Sequence, residues 1–385
     1  MIRDKIEAGL SQLPLRSQNP ISIESVNADS ITHLVCRQAA KKIPMKNKDQ
    51  FRPSCTVVIC TRNRPTELNR CLEALAELDY PHFDVLVVDN APSDDQARQV
   101  AMRWGAQYVL EPMVGLSRAR NRGARASDSE IVAFLDDDSL PEAEWLASLA
   151  APFNDPLVMA VTGRIVASNM EQSQLSLTPI SGSGADGHRE PVFDRETPYW
   201  FERANFGGIG DGGNMAFRRS VFDIWPGFDE RLGRGAIIDG GEEHNAFFSL
   251  LDRGYRVAQA SNAVVYHPVP QDEKELRARL LGNLASAAAY TILIFVEHPA
   301  HRRAAIKYAV EALRGMTRPW RLPTAGPPCR VVSRVRMLLA LLHGPLRYYR
   351  SLLRQNEMRM PARTLVVREP RPAAQTSTCG AEGSQ

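Results

Sequence analysis

An α/β fold with a mostly parallel central sheet is predicted by three observations. Short β-branched runs alternate with stretches whose apolar residues fall at helical spacing, which is the pattern of βαβ units with helices on both sheet faces. The chemically loaded residues, Thr61 to Arg64, Asp89 and Asp136 to Asp138, each follow a strand-like run, where open α/β sheets bind their ligands. The chain of 385 residues is 44% hydrophobic and 24% charged, an ordinary globular composition with length for a large core.

Residues 1 to about 50 read as an N-terminal extension, polar at first, with a short strand expected at Ile21–Val26 and then the basic run KKIPMKNK. CTVVIC (Cys55–Cys60) suits a buried parallel strand. TRNRPTE follows as a polar turn and LNRCLEALAEL as an amphipathic helix. DVLVVDN (Asp84–Asn90) is the second strand; SDDQARQVAMRWG is a helix capped by Ser93 or Asp94 and stopped at Gly105. AQYVLE is a short strand, GLSRARNRGARAS comes next, and EIVAFLDDD is a third strong strand.

VMAVTGRIV (Val158–Val166) is another strand, and residues 167–205, rich in Ser, Gly and Pro, read as an irregular loop region. GGIGDGG leads into the strand-like NMAF. GGEEHNAFFSLLDRGY reads as a helix with two acids in its first turn, ending at Gly254, and YRVAQASNAVVYHP as a strand ending at His267. Residues 271–362 are helical, basic and amphipathic; residues 363–385 read as a disordered tail.

Net charge is +3, from 47 basic and 44 acidic residues, but basic residues dominate from His301 onward. Such a run is either a solvated helix face or a surface drawn to anionic lipid. No nucleic-acid partner is expected. The six cysteines show no metal-ligating spacing, and free thiols at Cys55, Cys60 and Cys71 are expected. With no hydrophobic leader at the start, a cytoplasmic location is expected. Leu280–Val296 is apolar but short for a membrane span and holds Asn, Ser and Thr, so it reads as a buried or interfacial helix. The absence of GxGxxG after the first strand, and of any GxxxxGK[ST], removes most support for dinucleotide and P-loop chemistry.

Three adjacent aspartates at a strand end repel one another unless water or a cation separates them. Alternate carboxylates on one side can hold Mg²⁺ or Mn²⁺, and such an ion neutralises a departing diphosphate; a solvated turn is the plainer alternative. The wider pattern decides between them. TVVICTRNRP, VLVVDNAPSDD, GLSRARNRGARAS, FLDDDSLPEAEWL, NMAFRRSVFDIWPGFDE and GGEEHNAFFSLLDRGY, in that order between Thr56 and His267, resemble the family 2 glycosyltransferases, inverting enzymes with the GT-A fold, a Rossmann-like αβα sandwich.

The resemblance implies a catalytic domain over about residues 51–270 and a C-terminal helical extension over residues 271–362. It implies a nucleotide-diphosphate sugar as donor, a divalent metal (Mg²⁺ or Mn²⁺), and a hydroxyl acceptor. Carried over residue by residue, Thr61, Arg64 and Asp89 line the base and ribose pocket, and Asp136 and Asp137 belong to the nucleotide side of the aspartate segment. Asp138 ligates the metal, with His267 as a further ligand. Arg118 falls near the phosphates or ribose, as does Asn121, for which a helix-surface role fits equally. Glu243 maps to the general base, with Asp239 as a fallback. Here the chain departs from the pattern, since Glu replaces Asp and His244-Asn245 follows where Leu-Asp is common. Glu242 and Glu243 also suit a helix start on dipole grounds alone. Trp200, Phe201 and Trp225 are either sugar-stacking faces or core anchors. A non-catalytic scaffold of the same fold and a nucleotidyltransferase remain as alternative readings.

Overall fold

The computed structural model describes residues 52–81, 83–168, 191–268, 272–315 and 332–359. The expected strand at Ile21–Val26 and the tail from residue 363 lie outside these. The described residues all fall in the larger of two units, Phe51–Gln385.

The elements of the larger unit run β1 (Cys55–Thr61), α1 (Pro65–Leu75), β2 (Phe83–Asn90), α2 (Gln96–Arg103), β3 (Gln107–Glu111), α3 (Leu116–Ala126), β4 (Ile131–Asp136), β5 (Leu140–Pro141) and α4 (Trp145–Ala150). There follow β6 (Val158–Ser168), β7 (Val192–Phe193), α5 (Trp200–Phe206), β8 (Asn214–Arg218), α6 (Glu242–Asp252) and β9 (Arg256–Pro268). Three C-terminal helices complete it: α7 (Glu273–Glu297), α8 (Arg302–Gly315) and α9 (Arg334–Arg359).

The nine strands form one sheet in the order β3-β2-β1-β4-β8-β6-β9-β5, with β7 also on β9. β3, β2, β1 and β4 pair in parallel. β8 is inserted antiparallel between β4 and β6, β6 and β9 are parallel, and β5 and β7 run antiparallel to β9. Only β5, β7 and β8 therefore oppose the common direction, so the sheet is mostly parallel, as the alternating pattern predicts.

The period-2 alternation of the strands separates two apolar layers. Val57 and Ile59 of β1 face Leu68, Leu72 and Leu75 of α1, Val100 of α2 and Trp145 of α4. Val58 and Val88 point the other way, towards Ala119 and Ala124 of α3, Phe201 of α5 and Phe247 and Phe248 of α6. α1 starts earlier than LNRCLEALAEL implies, because Pro65 occupies the first helical turn, where its fixed φ and missing N–H cost nothing.

One expectation is corrected. The irregular region assigned to 167–205 contains β7 and α5 among its described residues. Phe201 is buried and Trp200 stacks on Phe248, so apolar contact orders a stretch whose composition is polar. The helical region from residue 271 packs on this core: Tyr290, Leu293 and Ile294 of α7 belong to the same apolar layer as α3 and α6. The segment Leu280–Val296 is thus partly buried against protein, and α7 is the one described helix long and apolar enough to cross a membrane.

α3 lies so close to the sheet that a Cβ on Gly123 would stand 2.4 Å from Cγ1 of Val58. Ala would gain about 1 kcal/mol in helix propensity over Gly, but overpacking costs about 1–3 kcal/mol. Gly123→Ala is therefore expected to lower stability by up to about 2 kcal/mol, read as a lower urea midpoint at unchanged m-value.

Candidate active site

β1, β2 and β4 end side by side, so the residues that follow them meet at one edge of the parallel half. β4 terminates at Asp136, and the chain turns through Asp137 and Asp138 with Ser139 N–H donating to Asp136 O at 3.1 Å. The turn splits the three carboxylates. Asp137 faces β1: it accepts from Thr61 Oγ1 at 2.7 Å and from Nη1 of Arg64 at 2.7 Å. Asp138 accepts from Nη2 of the same guanidinium at 2.7 Å.

Asp136 and Asp138 project together towards His267 near the end of β9. Nε2 of His267 stands 3.1 Å from Oδ1 of Asp138 and 3.9 Å from Oδ2 of Asp136. One ligand atom from each of the three can be chosen within 4.8 Å of the others. Oδ1 of Asp138 is buried and accepts no well-aligned hydrogen bond. Two carboxylates and an imidazole form a donor set that suits Mn²⁺ or Mg²⁺, and the residues present fit such an ion.

The electrostatics follow from this packing. Burial acts to raise all three carboxyls. At Asp137 it wins over Arg64 and Thr61 and pushes the group up to about 7. At Asp138 burial is overcome by His267 and Arg64, which hold it near about 2. Asp136 is raised by burial against the pull of Arg120 and His267. Burial lowers His267, but Asp138 and Asp136 more than reverse that.

Two adjoining cavities meet at Asp136 and His267. The first, about 700 Å³, is lined by Thr61, Arg64, Asn90, the three aspartates and, from α7, Glu275 and Arg279. The second, about 630 Å³, holds Asp211, Glu242, Glu243, His244, Asn283 and Tyr290. Glu242 and Glu243 open α6, and the helix start sends them different ways. Glu242 is buried and accepts from Nη1 of Arg120 at 2.7 Å. Glu243 keeps 17% of its side chain exposed and lies 4.0 Å from Nε2 of His244. Burial, then the neighbouring Glu242, raise the Glu243 carboxyl well above its ordinary range, and burial lowers His244.

Other expected site residues are placed differently. Asp89 is fully buried, lines neither cavity and accepts from the Tyr108 hydroxyl at 2.9 Å; it is its neighbour Asn90 that reaches the lining of the first. Arg118 turns to Glu230 at 2.7 Å and lines neither cavity. Asn121 clamps Phe228, accepting from its N–H and donating to its carbonyl, both at 2.9 Å. Asp239 pairs with Arg234 at 3.1 Å on the rim of the second cavity. Trp225 is buried and stacks on Phe217, which makes it a core anchor.

Arg120 escapes the motif reading, yet it connects the two halves of the site. Its guanidinium binds Glu242, donates to Gly212 O at 2.9 Å and lies 3.7 Å from Asp136. The available signal is periodicity, because Arg120 stands four residues from both Leu116 and Ala124 on the inner face of α3, whereas Arg118 does not. Arg120→Ala would leave Glu242 buried without its partner, and is expected to cost about 3–5 kcal/mol in urea unfolding.

The model of the family described as "Glycosyl transferase family 2" matches residues 56–225. Glycosyltransferase AglE of Haloferax volcanii is 33% identical over 224 residues, which make up 56% of this chain and 67% of that protein. The chain belongs to glycosyl transferase family 2. An N-acetylglucosaminyltransferase of Rhizobium meliloti is 28% identical over 243 residues, 58% of this family 2 chain and 53% of that protein. The chain spans about half the length of the first curated relatives it matches. Among solved structures, a mannosyltransferase of Pyrobaculum calidifontis, in complex with GDP-Man and Mn²⁺, aligns at 20% identity and a TM-score of 0.48 over 83% of this chain and 94% of that one.

Proposed function

We propose that this family 2 chain is a metal-dependent, inverting glycosyltransferase that moves a sugar from a nucleotide-diphosphate donor to an acceptor hydroxyl. The observation that carries the reading is the meeting of two cavities at Asp136 and His267, one with a cation-donor set and the other with Glu243. Donor and acceptor can then occupy opposite sides of one reacting carbon.

In this reading the first cavity takes the nucleoside diphosphate. Thr61 and Arg64 shape its wall through Asp137, and Asn90 lines it as well. Asp136, Asp138 and His267 would hold Mg²⁺ or Mn²⁺, which when bound supplies positive charge to the diphosphate. Glu243 accepts the proton of the acceptor hydroxyl, a poor nucleophile until it is deprotonated. Attack from the Glu243 side, opposite the diphosphate, inverts the anomeric carbon. Arg120 and Glu242 act as positioning residues, tying the start of α6 to the end of β4. The protein works at the cytoplasmic side of a membrane, on a lipid-linked or polymeric acceptor, in glycan, polysaccharide or natural-product glycosylation.

Calorimetric titration with UDP, GDP and dTDP, with and without Mn²⁺, tests the donor site. One diphosphate is expected to bind in a Mn²⁺-dependent manner, and its base names the donor. Absence of binding by all three under both conditions would overturn the reading in favour of a non-catalytic scaffold.

A further inference from the structure

α9 carries apolar side chains on two opposite faces. One face is packed on α7: Ala340, Tyr348 and Ser351 are buried, and a Cβ on Gly344 would lie 2.5 Å from the Cβ of Ala288. Nη1 of Arg347 donates to Ser286 at 2.8 Å, and the Tyr348 hydroxyl to Glu297 at 3.0 Å. These contacts fix the rotation of the helix.

The opposite face is exposed. Leu338, Leu339, Leu342, Leu346, Tyr349 and Leu353 all stand out from the surface, Leu342 with 70% and Tyr349 with 58% of its area accessible. At 3.6 residues per turn these six fall within an arc of about 100°. Arg336, Arg350 and Arg354 lie together along one border of that arc, at about 80–120° from Leu342, and all three are exposed. No acidic residue occurs from Arg334 to Asn356.

We propose that this stripe of α9 docks on an anionic phospholipid bilayer, with Leu338 to Leu353 entering the headgroup boundary and the arginine row on lipid phosphates. The inference rests on the membrane-side placement proposed above and names the surface responsible. Charge selects the occupant. A second copy of the chain would meet the stripe with another arginine row and no acid on the helix to neutralise it, whereas an anionic leaflet complements the apolar arc and the basic border together. The position is also productive, because α9 packs on α7 and α7 supplies walls to both cavities. A docked α9 therefore holds the second cavity one helix layer from the lipid surface.

Flotation of the full chain with phosphatidylcholine vesicles, with and without about 30 mol% phosphatidylglycerol, tests the surface. Co-flotation is expected with the anionic vesicles, falling severalfold without phosphatidylglycerol or at about 0.5 M salt. Leu342→Glu with Leu346→Glu is expected to lower the bound fraction by about tenfold or more, and Arg350→Glu with Arg354→Glu by severalfold. Diphosphate binding by the same variants serves as the control for folding and is expected to stay unchanged. It also separates this inference from the donor reading, since flotation needs no turnover. Undiminished flotation of the Leu342/Leu346 variant, or no flotation of the wild type, would overturn the proposal. So would a wild-type dimer in light scattering that the Leu342/Leu346 variant dissociates, which would make the stripe a contact between copies.

Discussion

A Glu243→Gln chain is expected to lose sugar transfer by about 10²–10⁴-fold while still binding the nucleoside diphosphate. Gln keeps the shape and a hydrogen-bonding head but cannot accept a proton at neutral pH. The choice of Glu243 over its neighbour rests on partners. Both line the second cavity, but Glu242 is engaged by Arg120, whereas Glu243 keeps 17% of its side chain exposed. The two variants should therefore fail differently, with Glu242→Gln lowering the urea midpoint and Glu243→Gln leaving it nearly unchanged. A pH profile adds an independent readout. A base must be ionised to act, and burial raises the Glu243 carboxyl, so kcat/KM is expected to fall as pH drops through a value above the ordinary carboxylate range of about 4–4.5. Glu243→Gln should remove that limb. Equal turnover by wild type and variant would place the base elsewhere, with Asp239 and Asp211 the next carboxylates to replace.

Asp138→Ala is expected to weaken Mn²⁺ binding by more than about 100-fold and to abolish the Mn²⁺-dependent part of diphosphate binding. Asp138 is the member of the trio that faces both Arg64 and His267, and it is held ionised down to about 2. Loss of this carboxylate removes an oxygen donor and leaves Arg64 with Asp137 alone. Mn²⁺ affinity measured directly, by calorimetry without any donor, distinguishes loss of a ligand from loss of the nucleotide pocket. Asp137→Asn provides the contrast. Its carboxylate is spent on Thr61 and Arg64, so Mn²⁺ affinity is expected to change by less than about tenfold. Equal Mn²⁺ affinity in wild type and Asp138→Ala would show that the aspartate trio is a hydrogen-bonded turn and not a cation site.

The local features of this chain were legible before any coordinates. β-branched runs mark β1, β2 and β4 because a strand buried on both faces needs continuous apolar residues. The acids and Thr61 after those runs mark the ligand edge, because parallel strands all end on one side of the sheet. Glu243, at a helix start, and His267, at a strand end, stand out only through the resemblance to family 2 glycosyltransferases, since position alone suits a dipole partner or a structural histidine equally.

Other features depend on contacts that no short window contains. Asp136, Asp137 and Asp138 are consecutive and identical in type, and only the turn at Ser139 and the hydrogen bond from Thr61 to Asp137 separate that carboxylate from the two that join His267. Arg118 and Arg120 are both arginines in one helix. The side that α3 presents to Glu242, 122 residues away, makes one a link within the site and the other a partner of Glu230. α5 rises from a polar stretch because Trp200 and Phe201 find Phe248. α7, which composition separates from the catalytic domain, becomes a wall of both cavities because its apolar face completes a core begun more than two hundred residues earlier. Residue type and strand propensity are local properties, so the acids that follow β1, β2 and β4 can be read along the chain. Which groups face one another depends on burial and pairing, which are properties of the packed chain.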